Sequence, residues 1–231
     1  MPFPFPMAMI GAGGASAAGY ANLTFRESDT VITNAASYDP GDTVDIGTEA
    51  ADRCVILAMA WGGSSVSVTG VDAYISGSPV SMTQIAHSTG ANGGTAIFAI
   101  SAPTGTYDAT VVTMSTTATE LHAAWWSVNM SNITAHDSAS AAVTSGAGTL
   151  SALEIPNNGF AITAVYLNDI ADRSHSINAS YIEQVELFGE ANSAFSQKEV
   201  VSSTSASVTS TWAASTSSGR IVGASWDGLG T

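Results

Sequence analysis

The chain has 231 residues, of which 45% are apolar, 8% aromatic and only 10% charged. Soluble domains usually carry about 25% charged residues, and here 57 serines and threonines take the place of the missing charges. Ample apolar content with little charge excludes the disordered class and is sufficient for a large core. The formal charge is -14, and the five basic residues are scattered singly. Nucleic acid is therefore not an expected partner, because phosphate binding needs a clustered cationic face.

Residues 1–20 are expected to form an extended N-terminal arm. Proline occupies every second position from Pro2 to Pro6, which is incompatible with a regular helix. A secretory signal is disfavoured, since the segment lacks a basic start and an unbroken apolar core. No run of 18 apolar residues occurs, so no membrane span is expected. We expect the arm to dock on another protein or a copy of this chain, the alternative being a loose tail. Its partner-binding residues would be Phe3, Phe5, Met7, Met9 and Ile10.

Short β-branched and aromatic runs, separated by turn residues, dominate the chain from residue 21 to residue 231. In Ser205–Trp212, apolar Ala206, Val208 and Trp212 alternate with hydroxyl residues, which predicts a strand with one buried face. Residues 54–61 and 160–167 are apolar at nearly every position, so both faces of these strands should be covered. The segment 180–188 fits a strand better than a helix.

The absence of alternating helices removes the parallel-sheet folds, and an all-β antiparallel two-layer sandwich or jelly roll is predicted. A weak repeat indicates two similar halves, residues 21–137 and 150–231, with 138–149 as the connection. The alternative is a chance likeness within a limited β alphabet.

Catalytic motifs are not recognisable, and we expect a protein that is not an enzyme and needs no cofactor. The four histidines have no metal-ligand spacing with one another or with Cys54, which is expected to be a buried, inert thiol. His122 is expected to be packed and His136 to lie in a loop. Ser225 begins like a nucleophile elbow but lacks the final glycine and the following helix.

An acidic turn is the best metal candidate in the sequence. Asp39, Asp42 and Asp45 offer hard oxygen ligands that suit calcium. The spacing matches no known calcium loop, and Asp-Pro-Gly-Asp is also an ordinary β-turn sequence. The segment is therefore either a calcium site or a solvated turn.

The segments Asp52–Trp61, Ser67–Val71, Ala96–Ile100 and Ala109–Val112 resemble β-sandwich structural proteins of tailed bacteriophages and prophages. The resemblance covers roughly residues 40 to 130 and rests on strand and turn patterns, so it transfers no site residues. It implies a virion subunit in which a short N-terminal segment anchors the protein to the particle. Head decoration, tail-tip and fibre proteins of this kind all use small β-sandwiches.

We therefore expect a virion structural protein on the exterior of the particle, displayed on the tail (tail tip or fibre, for host attachment) or on the head as a decoration protein. Its expected partners are other virion proteins, copies of itself and a host-surface glycan. Small uncharged strand faces favour permanent packing, because their burial costs little entropy and desolvates no charge. The alternative is a secreted carbohydrate-binding or adhesion module. In that hypothesis exposed tryptophans stack on sugars, and at most one of the adjacent Trp125 and Trp126 belongs to the core.

Overall fold

The computed structural model describes residues 22–31, 35–39, 43–75, 77–171, 173–178, 180–189, 191–213 and 217–228, without the side chain of Ala206. This part of the chain contains strands and no helix, so it has no helix that could cross a membrane. The strands are β1 (Thr24–Val31), β2 (Ala35–Tyr38), β3 (Val44–Asp45), β4 (Arg53–Gly62), β5 (Val68–Ile75), β6 (Ser78–Ser81), β7 (Thr83–Gly90), β8 (Gly93–Ser101), β9 (Tyr107–Asp108), β10 (Thr110–Ala118), β11 (Glu120–Asn129), β12 (Asp137–Thr144), β13 (Ala147–Ile155), β14 (Phe160–Leu167), β15 (His175–Ile177), β16 (Ile182–Phe188), β17 (Asn192–Glu199), β18 (Thr204–Trp212) and β19 (Gly219–Trp226).

All strand pairs are antiparallel, which confirms the predicted all-β class. One sheet has the order β1-β11-β4-β8-β7 and a second has the order β2-β10-β5-β6. The largest sheet runs β15-β18-β13-β12-β19-β14-β17-β16, and β3 pairs with β9.

The two parts of the chain share one strand order. The run β1-β11-β4-β8-β7 is matched by β12-β19-β14-β17-β16, and β2-β10-β5 is matched by β13-β18-β15. In both parts a tryptophan of the last strand lies opposite an apolar residue of the central strand: Trp126 opposite Ile56 on β4, and Trp226 opposite Phe160 on β14. Residues 138–149, expected to connect the halves, instead form most of β12 and the start of β13. They pair with β19 and β18, and thus belong to the second sandwich.

Each part is a two-layer sandwich with its own core, and the two sandwiches stack back to back. The first core lies between the sheet of β4 and the sheet of β5, and includes Leu57, Phe98 and Trp125. The second core lies within the eight-stranded sheet, between its β14 and β18 portions, and includes Val165 and Trp212. A third cluster, called the central core here, joins the sandwiches through β4, β8, β11, β14, β17 and β19.

This stacking explains the two strands that are apolar on both faces. On β4, Ile56 and Ala58 enter the central core, whereas Val55 and Leu57 enter the first core. Every residue of β4 and of β14 is buried, as the sequence predicts. The alternating strand is also confirmed: Val208 and Trp212 are buried and Ser205, Ser207 and Thr211 are exposed. Residues 182–188 form a strand, as preferred from the sequence.

Candidate functional site

The tryptophans do not form a binding platform. All five are at most 2% exposed. Trp125 faces the first core and Trp126 the central core, because β11 lies in a sheet that is covered on both sides. The expectation that at most one of this pair is in the core is therefore wrong. The hypothesis of exposed tryptophans that stack on sugar rings is wrong for the same reason.

The sequence-predicted contact and calcium residues are only partly within the described structure. Phe3, Phe5, Met7, Met9 and Ile10 lie outside the described residues, and so does Asp42. Asp39 is exposed, and the carboxylate of Asp45 accepts a 2.7 Å hydrogen bond from the backbone N–H of Gly47. The arm contact and the calcium site stay predictions.

Arg53, next to this acidic segment, is a buried cation that sequence inspection did not single out. Its guanidinium donates to the carbonyl oxygens of Gly47, Ala102, Thr104 and Gly105 at 2.5–2.8 Å. Burial lowers the pKa of Arg53. Since four carbonyl groups surround the head group, Arg53 fixes the loops at this end of the first sandwich.

A buried polar cluster connects the two sandwiches. His122 Nδ1 lies 2.5 Å from Ser193 Oγ, and His122 Nε2 lies 3.4 Å from Glu120 Oε2. All three residues are at most 2% exposed. A serine, a histidine and a carboxylate in contact are the components of a nucleophilic triad, but this hydroxyl is sealed inside the protein and reaches no substrate. The cluster instead links β11 to β17, and the expectation of a packed His122 is confirmed.

Two other side chains of reactive type, Cys54 and Ser225, are also buried in the fold. Cys54 is buried, and burial raises its pKa to about 11, so the thiol is poorly reactive, as expected. Ser225 is buried on β19 and donates to the carbonyl oxygen of Glu154 at 2.5 Å.

Two clefts open at one end of the central core. The larger, about 500 Å³, is lined by Gly63, Asn92, Thr119 and Tyr166 among others. The smaller, about 260 Å³, shares Asn92 and Tyr166, whose hydroxyl donates to the Asn92 carbonyl at 2.6 Å. This bond divides the end of the interface into two shallow polar recesses.

A second histidine cluster lies where the ends of the eight-stranded sheet approach each other. The terminal strands β15 and β16 lie close together without a backbone ladder. His175 on β15 contacts the Glu183 carboxylate on β16 through Nδ1, and its backbone N–H donates to Glu186 Oε1 at 2.9 Å. Side chains thus close a seam that backbone hydrogen bonds leave open.

The imidazole of His175 is held from two further directions. Nε2 lies 2.8 Å from Ser210 Oγ on β18. The ring packs against Trp212, with 4.6 Å between ring centroids, and the His175 side chain is fully buried. The Glu183 side chain is 28% exposed, so the cluster opens to solvent on the carboxylate side. Burial is the main cause of a raised Glu186 pKa.

Sequence reasoning missed this cluster. The seven residues between His175 and Glu183 match no ligand motif, and part of that interval connects two strands. Only the bending of the eight-stranded sheet brings its terminal strands together. Within the described residues, this is the group of three histidine, cysteine or acidic side chains whose ligand atoms converge, all within 4.8 Å of one another.

The comparisons with known proteins add no family assignment: no family model, no curated protein and no solved structure matches this chain.

Proposed function

We propose that this protein is a non-enzymatic structural subunit of a bacteriophage particle. In this proposal it is displayed on the exterior of the tail, at the tip or a fibre, or on the head as a decoration protein. The arm, residues 1–20, attaches it to other virion proteins. Copies of the chain pack beside one another, and a host-surface glycan is a further partner of the displayed face.

One surface carries the packing part of this proposal. The neighbouring strands β12, β13 and β18 present outward side chains that are almost all small and neutral. Such a face can approach another subunit closely, since no long side chain loses entropy and few charges lose water. The exposed small residues of this neutral face are Ser138, Ser140, Ala142, Thr144, Ala147, Thr149, Ser151, Ala152, Ser205, Ser207 and Thr211, and its exposed charged residue is Glu154.

The placement of the reactive groups also supports a structural role. The buried serine and histidine of the central core act as links between sandwiches, and the indoles fill cores. The assignment to a phage particle rests on the resemblance of residues 40 to 130 to phage β-sandwich proteins.

A matched pair of variants tests the packing face. Ser140→Arg introduces a long cation into the neutral face, whereas Thr113→Arg places the same side chain at an exposed position of β10, in the outer sheet of the first sandwich. Light scattering coupled to size-exclusion chromatography should show a defined oligomer for the wild type and Thr113→Arg, and dissociation for Ser140→Arg. A wild-type chain that is monomeric at all concentrations contradicts packing between copies.

The arm is tested by deletion of residues 2–10. The truncated chain should keep the wild-type circular dichroism spectrum and melting temperature but fail to enter particles when the phage is assembled with it. Normal incorporation of the truncated chain contradicts the anchoring role.

A further inference from the structure

We propose that His175, Glu183 and Glu186 form a binding site for a divalent transition-metal ion, with zinc as the fitting member of that class. The site would join β15 to β16 across the open seam of the eight-stranded sheet. This inference is independent of the proposed structural role in a virion.

The first argument is the convergence of electron pairs. One imidazole nitrogen and two carboxylates from two strands place one ligand atom each within 4.8 Å of the others. Groups that converge in this way in a partly buried site are held together by a shared proton or by a cation between them. The charged groups beside Glu186 include Glu183 and His175.

The second argument is the support of the imidazole. A metal-bound histidine typically uses one ring nitrogen as ligand and the other as donor to a neighbouring oxygen. Here Nε2 faces Ser210 Oγ at 2.8 Å, which leaves Nδ1 directed at the carboxylates. The Trp212 ring packs against the imidazole and limits its rotation. The ligand is therefore held in one orientation, while the carboxylate side remains open for an ion to enter.

The donor set selects the class of ion. One imidazole with two carboxylates suits zinc and its neighbours, whereas calcium takes oxygen ligands alone. Tetrahedral zinc with bonds of about 2.0–2.2 Å needs ligand atoms about 3.3–3.6 Å apart. The Glu183 carboxylate contacts Nδ1 more closely than this, and it is partly exposed, so it can move away from Nδ1 to admit the ion. Three protein ligands leave a fourth position for water.

His136 provides a control, because this imidazole also lies beside two carboxylates. It lies between two carboxylates, with 3.7 Å from Nε2 to Glu154 Oε1 and 3.8 Å from Nδ1 to Asp227 Oδ1. These carboxylates flank opposite ring nitrogens, so they cannot converge on one ion. Glu154→Gln therefore removes one negative charge beside a histidine, as Glu183→Gln and Glu186→Gln do, but outside the proposed site.

The experiment is a calorimetric titration of the metal-free full chain with zinc chloride. The wild type and Glu154→Gln should bind one ion per chain, and Glu183→Gln and Glu186→Gln should each bind at least tenfold more weakly. Zinc should also raise the melting temperature of the wild type by several degrees, because it binds only the folded chain. Absence of binding by the wild type overturns the proposal, and so does unchanged binding by both site variants.

A measurement on the wild type keeps the test valid if a variant does not fold. In ¹⁵N spectra of the imidazole side chains, zinc should shift the Nδ1 signal of His175 and leave those of His87 and His136 in place. A His175 that is protonated on both nitrogens and unaffected by stoichiometric zinc overturns the site, because the proton then supplies the positive charge.

Discussion

The indole N–H of Trp126 donates a 2.7 Å hydrogen bond to the side-chain oxygen of Gln197. Trp126 belongs to β11 of the first sandwich and Gln197 to β17 of the second, and both are buried. With the contact between His122 and Ser193, this bond sets how the two sandwiches meet inside an otherwise apolar core.

Replacement of Gln197 by leucine should destabilise the protein by about 1–3 kcal/mol, because it leaves the buried indole N–H without an acceptor. Gln84→Leu, on the exposed surface of β7, makes the same chemical change and should alter the free energy of unfolding by less than about 0.5 kcal/mol. Urea denaturation followed by circular dichroism measures both values. Equal effects of the two substitutions would show that the bond between sandwiches contributes nothing.

Gly93 should not tolerate a side chain. Its φ of +148° is rarely adopted by other residues, and a Cβ there would lie 2.2 Å from the Trp61 carbonyl oxygen and 2.6 Å from Tyr166 Cζ. Gly93→Ala should therefore cost about 2–4 kcal/mol.

Gly70 is the matched control, since its Cβ would meet nothing within 4 Å. Gly70→Ala should be neutral or stabilise the protein by up to about 1 kcal/mol, because alanine gives the unfolded chain less conformational entropy than glycine does. Thermal and urea unfolding of the two variants measure these changes in the free energy of unfolding. A Gly93→Ala protein as stable as Gly70→Ala would contradict the close approach of β8 to Tyr166.

Asp108 should make stability depend on pH. The carboxylate is fully buried, and burial raises its pKa above 3.8 although Thr110 Oγ1 and the Tyr74 N–H donate to it. A carboxyl group that binds its proton more tightly in the folded state favours folding below the unfolded-state pKa. That contribution is lost as the pH rises through the folded-state pKa.

The unfolding free energy of the wild type should therefore fall relative to that of Asp108→Asn as the pH rises from 3.5 towards neutrality. Urea titrations at a series of pH values measure this difference. Asp72→Asn, on neighbouring β5, removes a half-exposed charge and reports the general effect of net charge. A constant difference between the wild type and Asp108→Asn across the range would mean that burial does not perturb this carboxyl group.

The tryptophan fluorescence should be that of fully buried indoles. Because all five are at most 2% exposed, the native emission should be blue-shifted and acrylamide should quench it weakly, with a large increase on unfolding. A range of soluble oligosaccharides should leave the emission unchanged. A strongly quenched native fraction, or a sugar-induced shift, would restore the hypothesis of a tryptophan platform.

Strand positions were predictable because local pattern determines which face of a strand is apolar. The alternation around Val208 and the continuous apolar run of β4 both appear as expected. What covers the second face of β4 was not predictable, since an apolar run is the same whether a partner subunit or the same chain lies against it. The structure places β14 there, so this coverage is intramolecular.

Sequence by itself determined the all-β class, the antiparallel arrangement, the doubly buried strands and the inert cysteine, because each depends on residue type and on a period of two along a few neighbouring residues. Only the tertiary structure decided that Trp125 and Trp126 are both buried, that His122 meets Ser193, and that His175 meets two glutamates. These contacts join strands far apart in the chain or at opposite ends of one sheet. Their formation depends on how sheets stack and bend, which no local pattern encodes.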